Sequence, residues 1–351
     1  KTTDHSQHAM RLKFVDVLSG CGGASLGAER TGLFDAALAL DSDPDALSLY
    51  QANFPSASVA NVTLPMEQSA FFALLPTGVV HAHFSPPTTS FLRRGVRVEC
   101  TALLQWSLDT ALAAPVASFS IDCGASADAH ALLVRYKDKV EWVEVDAADL
   151  GSPAHKLRLV VAPRRILAPF ALRSRYCRTY TSIKDAFRAA GVELRGAFVR
   201  HTLLSPTAPR EQRVHKVLSV DDRANALSTR LSLFWTTDPY ADDDVDYELT
   251  PFTLEQAALV AGLGNEFRIG PKRDAARRLI GASTPPVLLT ELLQHYLRHT
   301  VVEEEDDDAD GLVVKPPHPG PRRRKRAAQS ADATTVPGPR ACASRGGGVR
   351  V

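Results

Sequence analysis

The chain has 351 residues, 44% of them hydrophobic, so it is long enough to bury a substantial core in one large domain or in two. Its 41 Lys and Arg nearly balance 40 Asp and Glu, and the resulting formal charge of +1 excludes no class of partner. Five cysteines without a CxxC pair indicate neither a zinc site nor a disulfide framework, which favours a reduced intracellular protein. No stretch reaches about 18 uninterrupted apolar residues, so no membrane span is predicted.

Strands and helices alternate along the first half of the chain. A buried strand is predicted over 12–20, a helix over 24–33 and a second buried strand over 35–41. Pro44 fits the first turn of a helix predicted over 44–54. Further strands are predicted over 78–84, 116–122 and 156–162, and further helices over 101–114, 252–263 and 285–300. This alternation predicts an α/β fold with a doubly wound, mainly parallel sheet.

Charge is concentrated in three stretches of the second half. Residues 163–216 carry 12 Lys and Arg against 3 Asp and Glu, which is typical of a polyanion-binding surface or of a solvated basic one. An acidic run at 303–310 and the basic run PRRRKR at 321–326 lie in a tail that we predict to be disordered over 301–351, like the polar start over 1–10. PRRRKR is typical of a nuclear localisation signal, which predicts a nuclear protein, or of a non-specific polyanion clamp.

The turn SGCGG at 19–23 lies between the first predicted strand and the first predicted helix. Glycines at such a turn let a ligand approach the main chain, and the amino terminus of the helix adds partial positive charge. Asp41 ends the next strand, 21 residues after Gly20, where a carboxylate can accept hydrogen bonds from ribose hydroxyls. Together they favour a nucleotide-like ligand over the alternative, a tight strand–helix turn with an acidic surface residue.

Six sequence blocks carry a resemblance to a known enzyme family. They are FVDVLSGCGGASLGAERTGLFDAALALDSDPDALSLYQANFP, SPPTTSF, ASFSIDC, GSPAHKLRLVVA, LTPFTLEQAALVAGLGNEFRI and IGASTPP, in that order along the chain. In this order they resemble the cytosine carbon-5 DNA methyltransferases, over about residues 12 to 300. The ordered combination is far more specific than any one block.

The resemblance implies a Rossmann-like methyltransferase fold that binds S-adenosylmethionine. Residues 11–165 are expected to form the cofactor-binding and catalytic domain, completed by 251–300, with a small basic target-recognition region inserted over 166–250. DNA is the implied partner, RNA is the alternative, and no membrane partner is expected. The side chains of that region that suit base stacking and phosphate contacts include Tyr176, Tyr180, His201 and His215.

Carried over residue by residue, the resemblance implies a set of cofactor-binding positions. They are Leu18, Ser19, Gly20, Gly22, Gly23, Asp41, Ser42, Asn61, Pro86 and Ala282. Three depart from the family pattern: Ser42 replaces a bulky apolar residue at the adenine, Asn61 an aspartate at the adenine amino group, and Ala282 an asparagine. A serine buries less of the base, whereas an asparagine keeps its hydrogen-bonding groups. The cofactor is therefore expected to bind, but more weakly.

The catalytic positions depart further from the family. The family attacks carbon 6 of cytosine with a cysteine thiolate, and a glutamate assists at the ring nitrogen. Thr88 stands at the cysteine position, and its hydroxyl yields almost no oxyanion at neutral pH, so it is a poor nucleophile. Asp122 stands at the glutamate position, with a reach shorter by about 1 Å. Lys156 and Arg158 stand at the two arginines of a glutamine–x–arginine–x–arginine strand, and Ala154 replaces the glutamine.

Three hypotheses about function remain open. The first is a DNA cytosine-5 methyltransferase homologue with an altered active site, which binds S-adenosylmethionine and nucleic acid. The second is a catalytically inactive DNA-binding or regulatory homologue. The third is an RNA cytosine-5 methyltransferase that uses Cys123, which ends a predicted strand beside the cleft. A small buried side chain is the alternative role for that cysteine.

Overall fold

The computed structural model describes residues 11–87, 91–93, 96–98, 100–176, 179–203, 214–225, 227, 233–237 and 249–302. Side chains are described for all of these except 91–93, 96–98, 201–203, 214–216 and 295–302. Thr88, the side chains of His201 and His215, and the charged runs of the tail therefore lie outside the described residues. Among those described, no helix is both long and apolar enough to cross a membrane.

Seven of the described strands form a central sheet, and the others form two smaller sheets. The described strands are β1 (Leu12–Val17), β2 (Phe34–Asp41), β3 (Ser58–Asn61), β4 (Val79–Phe84), β5 (Phe91–Arg93), β6 (Val96–Val98), β7 (Ser118–Cys123), β8 (Glu141–Asp146), β9 (Leu157–Ala162), β10 (Phe198–Leu203), β11 (Val214–Ser219), β12 (Leu233–Thr236) and β13 (Thr250–Pro251). The order in the central sheet is β3-β2-β1-β4-β7-β9-β8. The first five strands run parallel, and β9 is antiparallel to both of its neighbours. The predicted mainly parallel α/β sheet is confirmed, with one reversed strand that the alternation did not indicate.

Helices cover both faces of this sheet. They are α1 (Gly23–Glu29), α2 (Pro44–Asn53), α3 (Gln68–Leu74), α4 (Cys100–Ala113), α5 (Ala127–Val134), α6 (Arg164–Tyr176), α7 (Ile183–Ala189), α8 (Leu254–Val260), α9 (Arg273–Ala282) and α10 (Pro286–Val302). Asp43 caps α2 by accepting a hydrogen bond from the Asp45 N–H, with Pro44 in the first turn. Thr253 and Gln256 form a capping box at the start of α8. These local signals explain why α2 begins at Pro44, as predicted, and why α8 begins at Leu254, two residues after its predicted start.

Alternation along each strand assigns its side chains to two layers. Ala82 and Phe84 of β4 face the layer that contains α4 and α5. Phe14 of β1 faces the opposite layer, formed by α1, α6 and α10. Gly27 lets α1 approach α10 closely, because a Cβ added there would lie 2.2 Å from the Pro286 carbonyl oxygen. The carboxyl ends of the parallel strands meet at one edge of this sandwich, which is where ligands bind in open α/β sheets.

A second, antiparallel sheet has the order β11-β10-β12-β13. Its core is aromatic: the ring centroid of Trp235 lies 5.3 Å from that of Phe187 and 4.3 Å from that of Phe252. The Trp235 indole N–H donates to Oε1 of Gln256 over 3.2 Å, which satisfies its buried polar atom. These strands lie almost wholly within the 166–250 stretch predicted to be an inserted region.

Candidate cofactor and catalytic site

The turn after β1 leaves open space beside its main chain. Leu18 and Gly20 both adopt left-handed backbone conformations, with φ of 60° and 54°. A Cβ added to Gly20 would meet no atom of the described residues within 4 Å. The Gly20 N–H donates to Oδ2 of Asp41 over 2.9 Å, which ties the turn to the end of β2. A ligand therefore has room to approach the main chain at the position predicted from SGCGG.

Asp41 and Ser19 supply polar groups at this turn. Oδ1 of Asp41 accepts from the Asp43 N–H over 2.8 Å. The Asp41 side chain is buried, which raises the pKa of its carboxyl above the usual value. A carboxylate offers about four acceptor sites, so Asp41 can still accept from a ribose hydroxyl. Oγ of Ser19 is buried and has no hydrogen-bond partner among the described residues. This donor and acceptor set fits the polar groups of S-adenosylmethionine.

Gly22 and Gly23 face protein atoms instead of open space. A Cβ at Gly22 would lie 2.3 Å from a ring carbon of Phe54, and one at Gly23 would lie 2.1 Å from the Thr284 carbonyl oxygen. Both distances are far below van der Waals contact. Their glycine character is therefore explained by the packing of α1 against α2 and against the segment before α10.

The remaining predicted cofactor positions lie around the same strand ends. Asn61 pairs with Asp41 in the register of β2 and β3, and its Nδ2 donates to the Asp41 carbonyl over 3.4 Å. Ser42 is half-buried, and Asn61 is exposed. Pro86 is buried just after β4, whereas Ala282 is exposed as the last residue of α9. An exposed alanine leaves this part of the site without a side-chain hydrogen-bonding group.

Asp122 lies at the centre of a saturated hydrogen-bond network. It is 1% exposed. Its Oδ2 accepts from Nε of Arg158 over 2.6 Å, and its Oδ1 accepts from the hydroxyls of Ser85 over 2.8 Å and Thr284 over 3.0 Å. Nε2 of His83 lies 3.0 Å from the same Oδ1. Burial alone would raise the pKa of Asp122, but the Arg158 guanidinium and the bonds from His83 and Ser85 hold it well below the usual range.

A buried ladder of imidazoles and hydroxyls extends from Asp122 across β4 and β7. Ser118 Oγ lies 2.7 Å from His81 Nδ1, and Ser120 Oγ lies 2.8 Å from both His81 Nε2 and His83 Nδ1. Because an ionised Asp122 only accepts, His83 donates to it from Nε2. Burial, with His83 beside it, lowers the pKa of His81 to about 3. A neutral His81 can therefore donate to one of its serine partners and accept from the other, so both of its ring nitrogens are satisfied.

The ladder was missed at the sequence level, although a signal for it exists. Residues 81–85 read HAHFS and residues 118–122 read SFSID, so polar residues alternate with apolar ones in both strands. Both strands were predicted within a doubly wound sheet, whose faces are covered by helices, and there such alternation demands polar partners on a neighbouring strand. Pairing these two strands would have joined the polar positions.

Lys156 contacts the turn between α9 and α10 and does not contact Asp122 directly. Its Nζ donates to the Gly281 carbonyl over 3.1 Å and to the Ser283 carbonyl over 2.5 Å. Burial and the neighbouring Arg158 lower the pKa of Lys156 to about 7. Of the two basic residues predicted on β9, only Arg158 thus belongs to the Asp122 network.

Cys123 faces the other side of the sheet. It is 3% exposed and packs in the apolar cluster that includes Phe84 and Ile121. Burial raises the pKa of its thiol to about 12, so almost no thiolate exists at neutral pH. The structure therefore separates this cysteine from the polar side of β7, where Asp122 lies.

The described part of the basic stretch begins with α6, far from the SGCGG turn. Because β9 is antiparallel to the parallel strands, α6 begins at the edge of the sheet opposite the SGCGG turn. Arg165 donates to the Ala117 carbonyl over 2.7 Å, just before the start of β7. Arg164 and Arg165 therefore lie at the edge of the sheet opposite the SGCGG turn.

Two tyrosines of this stretch are exposed. Tyr176, at the end of α6, is 79% exposed, and Tyr180 is 56% exposed. The Arg223 guanidinium carbon lies 4.6 Å from the centroid of the Tyr180 ring, and the Tyr180 hydroxyl donates to the Asp221 carbonyl over 2.7 Å. Tyr176 thus offers the more accessible ring of the two.

Comparison with known proteins agrees with this geometry. Residues 12–76 match the family model described as C-5 cytosine-specific DNA methylase, which confirms the resemblance at the cofactor end. S-adenosylmethionine is the methyl donor of that family. No curated protein sequence matches the chain.

Several solved structures share the fold at low sequence identity. A structure described as a DNA modification methyltransferase encoded within an E. coli prophage has a TM-score of 0.58 at 16% identity, covering 84% of this chain and 100% of that one. S. pombe Dnmt2 has a TM-score of 0.59 at 13% identity, covering 83% and 100%. A mutant of Spodoptera frugiperda DNMT2 has a TM-score of 0.56 at 15% identity, covering 82% and 99%. The chain therefore has a Rossmann-like methyltransferase fold.

Proposed function

We propose that this protein binds S-adenosylmethionine and nucleic acid without methylating cytosine. The binding part of the proposal is supported by the match of residues 12–76 to the C-5 cytosine-specific DNA methylases and by the methyltransferase fold of the chain. The observation that carries the proposal is the state of Asp122. Its carboxylate is buried and bound by Arg158, His83, Ser85 and Thr284.

The glycine-rich turn and Asp41 retain the features that cofactor binding requires. Gly20 has open space beside it, and the Asp41 carboxylate lies at the end of the neighbouring strand, within hydrogen-bond distance of the Gly20 N–H. When bound, S-adenosylmethionine supplies an electrophilic methyl group. Asp41 would hold the ribose, and the Gly20 main chain would lie against the rest of the ligand. These contacts orient the cofactor and need no catalytic residue.

The positions of the catalytic residues lack the strong nucleophile and the proton donor that methyl transfer to carbon 5 requires. A threonine hydroxyl at position 88 is a far weaker nucleophile at neutral pH than a cysteine thiol, a small fraction of which is ionised. Asp122 is held as a carboxylate by its four partners, so it cannot donate a proton to a ring nitrogen. Freeing it would break its buried ion pair with Arg158.

The buried cysteine gives the enzyme hypothesis little support. Attack by Cys123 would require a thiolate, and its thiol has a pKa of about 12 on the apolar side of β7. Moving it to the side of Asp122 would shift the register of β7 by one residue, which would turn every side chain of that strand to the opposite face.

Nucleic acid is the proposed partner because the resemblance includes a target-recognition region. Arginines that suit phosphate contacts remain on the described part of that region. Arg188 is exposed on α7, and Tyr180 offers an exposed ring beside Arg223, whose guanidinium pairs with Asp149. DNA is the proposed partner, because the matching family model is that of DNA methylases, and RNA is the alternative.

Cofactor binding is tested by titration calorimetry with S-adenosylmethionine. We expect binding by the unaltered protein and an affinity at least about tenfold weaker in Asp41→Ala, which loses the charged acceptor at the ribose. Asp35→Ala is the matched control, because Asp35 lies at the other end of β2 and pairs with Arg11 on the surface. Absence of binding, or equal affinity in Asp41→Ala, would contradict the proposal.

A further inference from the structure

We propose that Lys156 is a positioning residue of the cofactor site, whose ammonium group holds the turn 281–284 against the start of α1 and so joins that site to Asp122. The inference rests on the proposed binding of S-adenosylmethionine. The turn contains Ala282, the position at which the resemblance implies a cofactor contact.

One ammonium group holds both sides of the turn. Nζ of Lys156 donates to the carbonyls of Gly281 and Ser283, two residues apart, over 3.1 and 2.5 Å. Bonds from a charged donor are about twice as strong as neutral ones. Gly281 is also in the last turn of α9, where unpaired carbonyls carry partial negative charge. The exposed Ala282 lies between the two carbonyls that are held.

The other side of the turn is fixed by α1 and β7. A Cβ at Gly23 would lie 2.1 Å from the Thr284 carbonyl oxygen, so α1 and the turn are in close contact. Oγ1 of Thr284 donates to Oδ1 of Asp122 over 3.0 Å. A displacement of the turn would therefore disturb the start of α1 and the Asp122 network together. Lys156 is the group that resists such a displacement from the side of β9.

The contact between Lys156 and the turn depends on pH, because a buried lysine can lose its charge, whereas an arginine at this position would keep it. The ionisable groups that face Lys156 are Arg158 on β9, Asp122 on β7 and Cys21 in the glycine-rich turn. Burial and Arg158 together lower its pKa to about 7, whereas an arginine stays charged throughout the working range. The ammonium form predominates below about pH 7, is half lost near pH 7 and disappears as the pH rises further, so the turn is held less firmly in alkali.

The first experiment measures the turn without any cofactor. Amide hydrogen exchange of peptides that cover 279–290 is compared among the unaltered protein, Lys156→Met and Lys156→Arg at one pH. We expect several-fold faster exchange in Lys156→Met and recovery in Lys156→Arg, with α5 unchanged in all three as the internal control. Equal exchange in Lys156→Met and the unaltered protein would overturn the proposal.

The second experiment compares affinity for S-adenosylmethionine in the unaltered protein and in Lys156→Arg from pH 6 to pH 9. The cofactor's own titration affects both proteins equally, so the difference between the curves isolates Lys156. We expect the unaltered protein to lose about tenfold more affinity over this range than the arginine variant. Parallel curves would overturn the role of Lys156. If neither protein binds the cofactor, the proposed function fails, while the exchange experiment still decides whether Lys156 holds the turn.

Discussion

Acid is expected to destabilise the protein through His81. Burial, with His83 beside it, lowers the pKa of His81 from 6.5 to about 3. Below about pH 6.5 the unfolded chain therefore takes up a proton that the folded protein excludes. The free energy of unfolding falls by about 1.4 kcal/mol per pH unit in this window, or roughly 2 kcal/mol between pH 6.5 and pH 5.

Asp16 acts in the opposite direction over the same window. Burial raises its pKa from 3.8 to about 7, so the folded protein holds a proton at pH 5 that the unfolded chain has mostly lost. The two effects offset one another in the unaltered protein. The informative quantity is therefore the difference between the unaltered protein and a variant without His81, measured at both pH values.

Urea unfolding of His81→Leu, followed by circular dichroism at pH 7 and pH 5, measures that difference. At pH 7 the variant is expected to be less stable by about 1–3 kcal/mol, because Ser118 and Ser120 lose their partner. At pH 5 this deficit should shrink by roughly 2 kcal/mol. His130→Leu is the control, since its ring is 37% exposed and pairs with Glu144 on the surface. A deficit of His81→Leu that is equal at both pH values would refute the reasoning.

Three further changes probe packing and reactivity. Asp122→Asn removes the negative charge that faces the buried Arg158 guanidinium and should lower stability by about 3–5 kcal/mol in urea unfolding; a loss below about 1 kcal/mol would argue against the network. Gly23→Ala should lower stability by about 1–3 kcal/mol through overpacking, whereas Gly270→Ala, whose added Cβ makes only an ordinary 3.7 Å contact, should change it little. Cys123 should react with a thiol reagent at pH 8 no faster than the protein unfolds, and a rapid phase lost in Cys123→Ala would show an accessible thiolate.

Much of the sheet could be predicted from the sequence because its central strands are apolar and bounded by glycines, prolines and caps. β1, β2, β4, β7 and β9 all lie close to their predicted ranges. β3 is four residues long and mostly exposed at the edge of the sheet, so it carries no apolar signal. α6 contains Pro169, which interrupts the helical pattern, and it was not predicted.

The sequence predicted many of the residues that belong to the site, but not which of their side chains contact one another. The sequence placed Asp122 and Arg158 at positions of the family, yet nothing local indicates that the two side chains bind one another. The role of Gly23 likewise depends on Thr284, which lies 261 residues further along the chain and meets it only in the folded state. Contacts between distant segments decide whether a carboxylate is free for chemistry, and a single sequence does not contain them.

The central claim is tested most directly by methyl transfer from radiolabelled S-adenosylmethionine to unmethylated DNA and to RNA, with products digested to nucleosides. Cofactor binding is measured on the same sample, so that an absent product reports on chemistry and not on an empty site. The account predicts bound cofactor and no label in 5-methylcytosine from either substrate. Label in 5-methylcytosine from the unaltered protein, above all label that disappears in Cys123→Ala, would contradict it.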